Sequence, residues 1–176
     1  MSTTSPVRTA LFVLLLAVFG LVGGLGGYYA GGRSDAIDDA LPLARLADRL
    51  IRHGEGGEGL GASREQAVLQ VAGPKLTRSL ARRLAFDPFV PGVSKIRLEG
   101  YASGLEKELS RPRLIALWLE TVEMGKGPNG WMKGFYEASK DIYDRPPSQL
   151  SDAEFKQLLA IARSPLRLRV RPTDWH

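Results

Sequence analysis

The sequence contains no cysteine and only two histidines among its 176 residues. The lack of cysteine excludes a disulfide framework, thiolate zinc sites, iron–sulfur clusters and a cysteine nucleophile. Two histidines also exclude a multi-histidine metal site, and we expect no metal and no other cofactor. Hydrophobic residues make up 44% of the chain and charged residues 24%, which is typical of a globular protein and not of a disordered one.

Charged residues are also absent from Thr9 to Gly32. About 20 apolar residues in a helix cross the ~30 Å hydrocarbon core of a bilayer, so residues 9–32 are predicted to form a transmembrane helix. Arg8 precedes this segment and Arg33 follows it, and the terminal amine makes the N-terminal flank slightly more basic. The positive-inside rule then places residues 1–8 in the cytoplasm and the body of the protein outside it. A cleaved signal peptide is the alternative, but its apolar core would be shorter and would end at a small-x-small site.

The second half of this segment is rich in glycine. Gly23, Gly27 and Gly31 form two overlapping GxxxG spacings on one helix face. Small residues at this spacing let a second transmembrane helix approach closely. We therefore expect this face to contact another transmembrane helix, from a larger membrane complex or from a second copy of the chain. Chance is the alternative, because glycine-rich membrane segments are common.

The rest of the chain shows helical periodicity and no convincing strand alternation, which predicts an all-α domain. A helix and a glycine-rich linker are expected over residues 33–62, and a helical domain over residues 63–176. Ser151 is predicted to cap the last helix, with Glu154 at the capping-box position. Residues 125–134 are predicted to form a loop, because they hold four of the glycines and a proline.

Several segments of this domain resemble a known family. LSRPRLIALWLETVEMG at residues 109–125 resembles the pattern LSKEEILELYLNxVYFG, and residues 134–154 resemble GVxAAAxxYFGKxPxxLxLAE. PKLTRSLARRL at residues 74–84 resembles STITQQLAKNL, and residues 95–99 stand where RKxxE is expected. These patterns belong to the bacterial peptidoglycan glycosyltransferases, the lysozyme-like domain of penicillin-binding proteins and their monofunctional relatives.

The resemblance implies a lysozyme-like helical domain that joins lipid-linked disaccharides at the inner membrane, with a periplasmic C-terminal domain. In that reaction one Glu acts as a base, and a second Glu and basic residues stabilise the departing pyrophosphate. Glu99 is the implied catalytic carboxylate. The implied substrate-binding residues are Thr77, Arg78, Arg82, Arg83, Lys95 and Arg97. These side chains are expected to contact a lipid-linked disaccharide or a glycan; a solvated basic face, or one that contacts acidic lipid headgroups, is the alternative. Nucleic acid is not an expected partner of an extracytoplasmic domain.

The sequence also departs from the family pattern. The motif EDxxFxxHxG, which carries the first Glu, is not found, and Glu55 and Glu58 are its only nearby substitutes. Glu99 falls one position late in RKxxE, which turns a helical side chain by about 100°. We therefore favour a catalytically degenerate protein, a pseudoenzyme that binds or organises a membrane assembly. An active divergent glycosyltransferase is the alternative. The hypothesis places Glu99, Lys95 and Arg82 on one cleft, with Arg78 near them.

Overall fold

The computed structural model describes residues 6–52, 60–85, 93–127 and 130–164. This part of the chain is built almost wholly from helices, and the predicted all-α class is confirmed. The helices are α1 (Pro6–Arg52), α2 (Gly61–Ala72), α3 (Leu76–Leu84), α4 (Val93–Glu108), α5 (Arg111–Thr121), α6 (Phe135–Tyr143) and α7 (Asp152–Arg163). The strands β1 (Glu123–Gly127) and β2 (Gly130–Lys133) pair in antiparallel fashion between α5 and α6.

The helix α1 runs without a break through the predicted membrane segment and the predicted helix after it. Its 47 residues extend over about 70 Å. The N-terminal part is apolar, with a mean hydropathy of 2.2 in its most apolar window, and none of that window is buried inside the protein. One helix of the described chain is therefore long and apolar enough to cross a membrane, which indicates a membrane anchor.

The C-terminal part of α1 packs against α4 through glycines. A Cβ atom added at Gly32 would overlap the carbonyl oxygen of Arg97, and one added at Gly100 would overlap the carbonyl oxygen of Tyr29. Gly104 likewise lies directly against Ala36. The two backbones therefore touch at this crossing, which only residues without a side chain permit. We call the contact made by Gly32, Ala36, Gly100 and Gly104 the glycine seam.

Polar side chains join the same two helices beside the glycine seam. The Arg97 guanidinium donates to Asp35 at 2.8 and 2.9 Å, and the Tyr101 hydroxyl donates to Asp39 at 2.6 Å. Burial and the Asp39 carboxylate raise the pKa of Tyr101 well above its ordinary value, so the phenol keeps its proton for this hydrogen bond. These bonds hold α4 in one register on α1.

The centre of the core is α5, in which every residue from Leu114 to Leu119 is buried. Phe135 of α6 and Phe155 of α7 meet below it, with ring centroids 5.0 Å apart. Arg64 of α2 lies over the Phe155 ring and donates to Asp152, which ties α2 to α7. The core thus links α2 and α5–α7 into one packed unit.

The capping box predicted at the start of α7 is confirmed. The Ser151 hydroxyl accepts from the Glu154 backbone N–H, and the Glu154 carboxylate accepts from the Ser151 backbone N–H. The hydrogen bond from the Ser151 backbone N–H to the Glu154 carboxylate, and then the one from the Ser151 hydroxyl to the same carboxylate, lower the pKa of Glu154. Two of the orphan donors at this helix end are thereby satisfied.

The hairpin β1–β2 lies where the sequence predicted a loop. Met124 and Met132 are buried, while Trp131 and Lys133 are exposed. The glycines that mask the strand alternation have structural roles here, since Gly125 and Gly130 adopt positive φ angles of 85° and 140°. The prediction of a loop was wrong because two short strands with so few side chains carry too little periodicity to be recognised.

Candidate functional site

A cleft of about 300 Å³ opens between α3 and α4, beside α1. Its walls are formed by Tyr29, Pro74, Thr77, Arg78, Glu99, Ala102, Ser103 and Glu106. Pro74, Thr77 and Glu106 also border a second hollow of about 410 Å³, which extends to α5. The two hollows therefore form one groove that starts beside Tyr29 of the anchor helix and ends at α5.

Glu99 faces this cleft. Its Oε1 atom forms an ion pair with Nη2 of Arg78, and both side chains remain about two-fifths exposed. Glu99 therefore faces the cleft although it falls one position late in the motif. The neighbouring Leu98 packs against the core, and this fixes the rotation of α4 that directs Glu99 to the cleft. Of the residues predicted for the site, the structure brings Glu99, Arg78 and Thr77 together on one surface.

Glu106 is a second carboxylate in the cleft, and the sequence analysis missed it. It lies two helical turns after Glu99 on the same face of α4, about 10 Å along the axis. The sequence spacing could have predicted this position, because two side chains seven residues apart in a helix differ in direction by only about 20°. A cleft with two carboxylates and one paired arginine is less basic than the sequence indicated.

Arg82 and Lys95 do not line the cleft, which corrects the prediction that they share it with Glu99. Arg82 lies one turn after Arg78 on α3, and Lys95 lies one turn before Glu99 on α4. Both are exposed. They extend from the rim of the cleft into solvent, because the helix turns that carry them lie beyond the point where α3 and α4 enclose space.

Arg97 and Arg83 were also predicted to bind substrate, and neither lines the cleft. Arg97 points to the other side of α4, where it pairs with Asp35 of α1. Arg83 lies with its guanidinium 5.3 Å above the ring of Trp118, near Glu123. Burial lowers the pKa of Arg83, and the Glu123 carboxylate partly offsets this effect. Five residues separate Arg83 from Arg78, which turns the two side chains about 140° apart on α3.

A family model described as transglycosylase matches residues 73–174. The chain belongs to the transglycosylase family. No curated protein and no solved structure gives a significant match. The family match confirms the resemblance read from the motifs, and it covers α3 and α4, which carry the cleft.

The match to the transglycosylase family starts at Gly73, after the part of the chain where the first Glu motif is expected. Glu55 and Glu58, the substitutes considered from the sequence, lie outside the described residues, as does Trp175. In the described part of the transglycosylase domain and its anchor, no group of three or more His, Asp or Glu side chains is placed to hold a metal ion. Within the described residues, the charged side chains that line the cleft are Arg78, Glu99 and Glu106, and Thr77 adds a hydroxyl group.

Gly23, Gly27 and Gly31, predicted to contact another helix, precede the transglycosylase domain on α1. A Cβ atom added at any of them would meet nothing within 4 Å. Gly27 points about 140° away from Gly32 and 180° away from Ala36 around α1, while Gly31 lies about 100° from Gly32, so the three glycines face away from the glycine seam to different degrees. The packing of α4 therefore leaves all three uncovered within the described chain.

Proposed function

We propose that this protein is a membrane-anchored, extracytoplasmic member of the transglycosylase family that does not polymerise glycan and serves as a binding or scaffold subunit of a membrane assembly. The family match and the apolar helix support the coarse part of this proposal. The Arg78–Glu99 ion pair supports the loss of catalysis, and the open cleft supports a remaining binding role.

The ion pair carries the argument. Glu99 stands at the position of the second Glu, which together with basic residues stabilises the departing pyrophosphate in the reaction that the family resemblance implies. In this cleft Glu99 already accepts from the Arg78 guanidinium. The same contact neutralises Arg78, which lines the cleft, so less positive charge is left for a pyrophosphate. The carboxylate that the family resemblance assigns to catalysis and an arginine that it assigns to substrate binding thus satisfy each other.

Polymerisation of a lipid-linked disaccharide by the full-length protein in vesicles tests this proposal. We expect no polymer above a control without protein, and the same result for Glu99→Gln. The change removes the negative charge but keeps the shape of the side chain, so it separates chemistry from folding. A polymer made by the natural protein and lost in Glu99→Gln would establish the active glycosyltransferase instead.

The orientation of the anchor belongs to the same proposal. Arg8 and the terminal amine precede the apolar segment, whereas Arg33 and then Asp35, Asp38 and Asp39 follow it. The positive-inside rule then keeps the N-terminus in the cytoplasm and places the transglycosylase domain in the periplasm. This location agrees with a family that acts on lipid-linked cell-wall precursors.

A scaffold subunit needs a membrane partner, and the uncovered face of Gly23, Gly27 and Gly31 is the proposed contact. Facing lipid, these glycines leave a groove and weaken the helix, since Gly is a poor helix former. Against another helix, the same groove allows close backbone approach. The open space at all three positions supports this reading.

Gly27→Leu is expected to reduce recovery of the partner helix, or of a second tagged copy, when the full-length protein is purified in mild detergent. The leucine would fill the groove and separate the two backbones. Gly26→Leu makes the same change about 100° away on α1, also at a position with nothing within 4 Å, and should bind as the natural protein does. Equal recovery with both variants would contradict the contact.

A further inference from the structure

The direction of α4 relative to the anchor determines which end of the domain faces the membrane. Arg97 lies against Gly32, and Gly104 lies against Ala36, so contacts advance together along both helices. The two helices therefore run in the same direction, and the N-terminus of α4, with Lys95, points toward the apolar part of α1. Tyr29 of α1, at the end of the apolar segment, borders the same cleft as Glu99.

The helices α3 and α5 both run toward the anchor end of the domain, the end beside the apolar part of α1. Arg78 pairs with Glu99, whereas Gly73 and Pro74 before α3 border the groove together with Glu106 and Leu109 at the end of α4. The helix α3 therefore runs opposite to α4 and carries Arg82 toward the height of Lys95. The Trp118 indole of α5 donates to Ser79 and lies under Arg83. Leu114, earlier in α5, borders the groove near Thr77, so α5 follows α3. The hairpin after α5 consequently begins at the anchor end.

The hairpin exposes an aromatic ring at this end. Trp131 is 58% exposed, and its indole N–H donates to the carboxylate of Glu123, the residue that lies near Arg83. Lys126, directly across from Trp131 in the hairpin, is exposed, as is Lys133. An indole held in one orientation and flanked by lysines resembles the way in which membrane proteins contact the interface.

We propose that Arg82, Lys95, Lys126 and Trp131 form a membrane-contact surface that lies on the anionic headgroups of the bilayer that α1 crosses. Tryptophan favours the headgroup region, and each Lys or Arg close to an anionic leaflet adds attraction. The bilayer is the inferred partner of this surface, because the glycine seam holds the surface beside the end of the apolar segment of α1. The charges agree, since three of the four side chains are cationic. This proposal does not depend on whether the cleft is catalytic.

Tryptophan fluorescence of the full-length protein in vesicles tests the surface. The vesicles contain phosphatidylcholine with one third phosphatidylglycerol, and a doxyl-labelled phosphatidylcholine serves as quencher from within the bilayer. Subtracting the emission of Trp131→Phe isolates Trp131 from Trp118 and Trp175. We expect the labelled lipid to quench at least half of the Trp131 component and iodide to quench little of it.

The charge requirement is tested with the same readout. The variant carrying Arg82→Gln, Lys95→Gln and Lys126→Gln should lose most of the lipid quenching of Trp131, and so should the natural protein in vesicles without phosphatidylglycerol. Lys140→Gln, an exposed change on α6, is the control and should behave as the natural protein. A Trp131 component that iodide quenches and the labelled lipid does not would overturn the proposal. Protection of this component from iodide by soluble glycan fragments, without lipid quenching, would likewise overturn it and identify a sugar-stacking site.

Discussion

Gly32→Ala is expected to destabilise the folded protein by about 3 kcal/mol, because overpacking at a rigid contact has this order of effect. The new methyl group would overlap the carbonyl oxygen of Arg97, which is backbone and cannot rotate away. The helices α1 and α4 would have to separate along the glycine seam. For a chain of this size the midpoint of thermal unfolding should fall by roughly 6–12 °C.

The control for this change is in the same helix. Gly26→Ala adds the same methyl group where nothing lies within 4 Å, and alanine is the better helix former, so no loss of stability is expected. Thermal unfolding of the full-length protein in detergent, followed by circular dichroism, gives both values. Equal midpoints for the two variants would show that the backbones of α1 and α4 do not touch at Gly32.

Phe155→Ala is expected to cost about 3–5 kcal/mol of the free energy of unfolding, the usual range for a buried phenylalanine. Phe155 is 1% exposed, packs against Phe135, and carries the Arg64 guanidinium 5.0 Å above its ring centroid. The change would leave a cavity between α6 and α7 and would remove the surface on which Arg64 lies. The contact of α2 with α7 should weaken together with the core.

Lys156→Ala, one residue later in α7, separates this effect from a change in helix propensity. Lys156 is exposed, and surface changes of this kind shift stability by about 0.5 kcal/mol or less. Chemical denaturation of both variants in the same detergent gives the difference in the free energy of unfolding. A Phe155→Ala variant within about 1 kcal/mol of the Lys156→Ala variant would exclude a tightly packed core at this position.

Some residues of the candidate site could be predicted from the sequence, and others could not. The motif positions identified Thr77, Arg78 and Glu99, and these three border one cleft. The same reasoning assigned Arg83 and Arg97 to that cleft, although they contact Trp118 and Asp35 instead. The direction of an arginine in a short helix depends on which face is buried, and a shift of one or two residues, about 100–200° around the axis, is enough to move it to another surface.

The membrane anchor, the all-α class and the family could be predicted from the sequence, because an apolar segment, a helical period and ordered motifs are local properties of the chain. The tertiary structure alone shows that Gly32 lies against Arg97, that Gly100 lies against Tyr29, and that Glu99 is paired with Arg78. Each of these depends on the packing of segments far apart in the chain. The glycine spacing in α1 illustrates the difference. It predicted a contact with another helix at Gly23, Gly27 and Gly31, but it did not predict the contact of Gly32 with α4, because Gly32 lies outside that spacing.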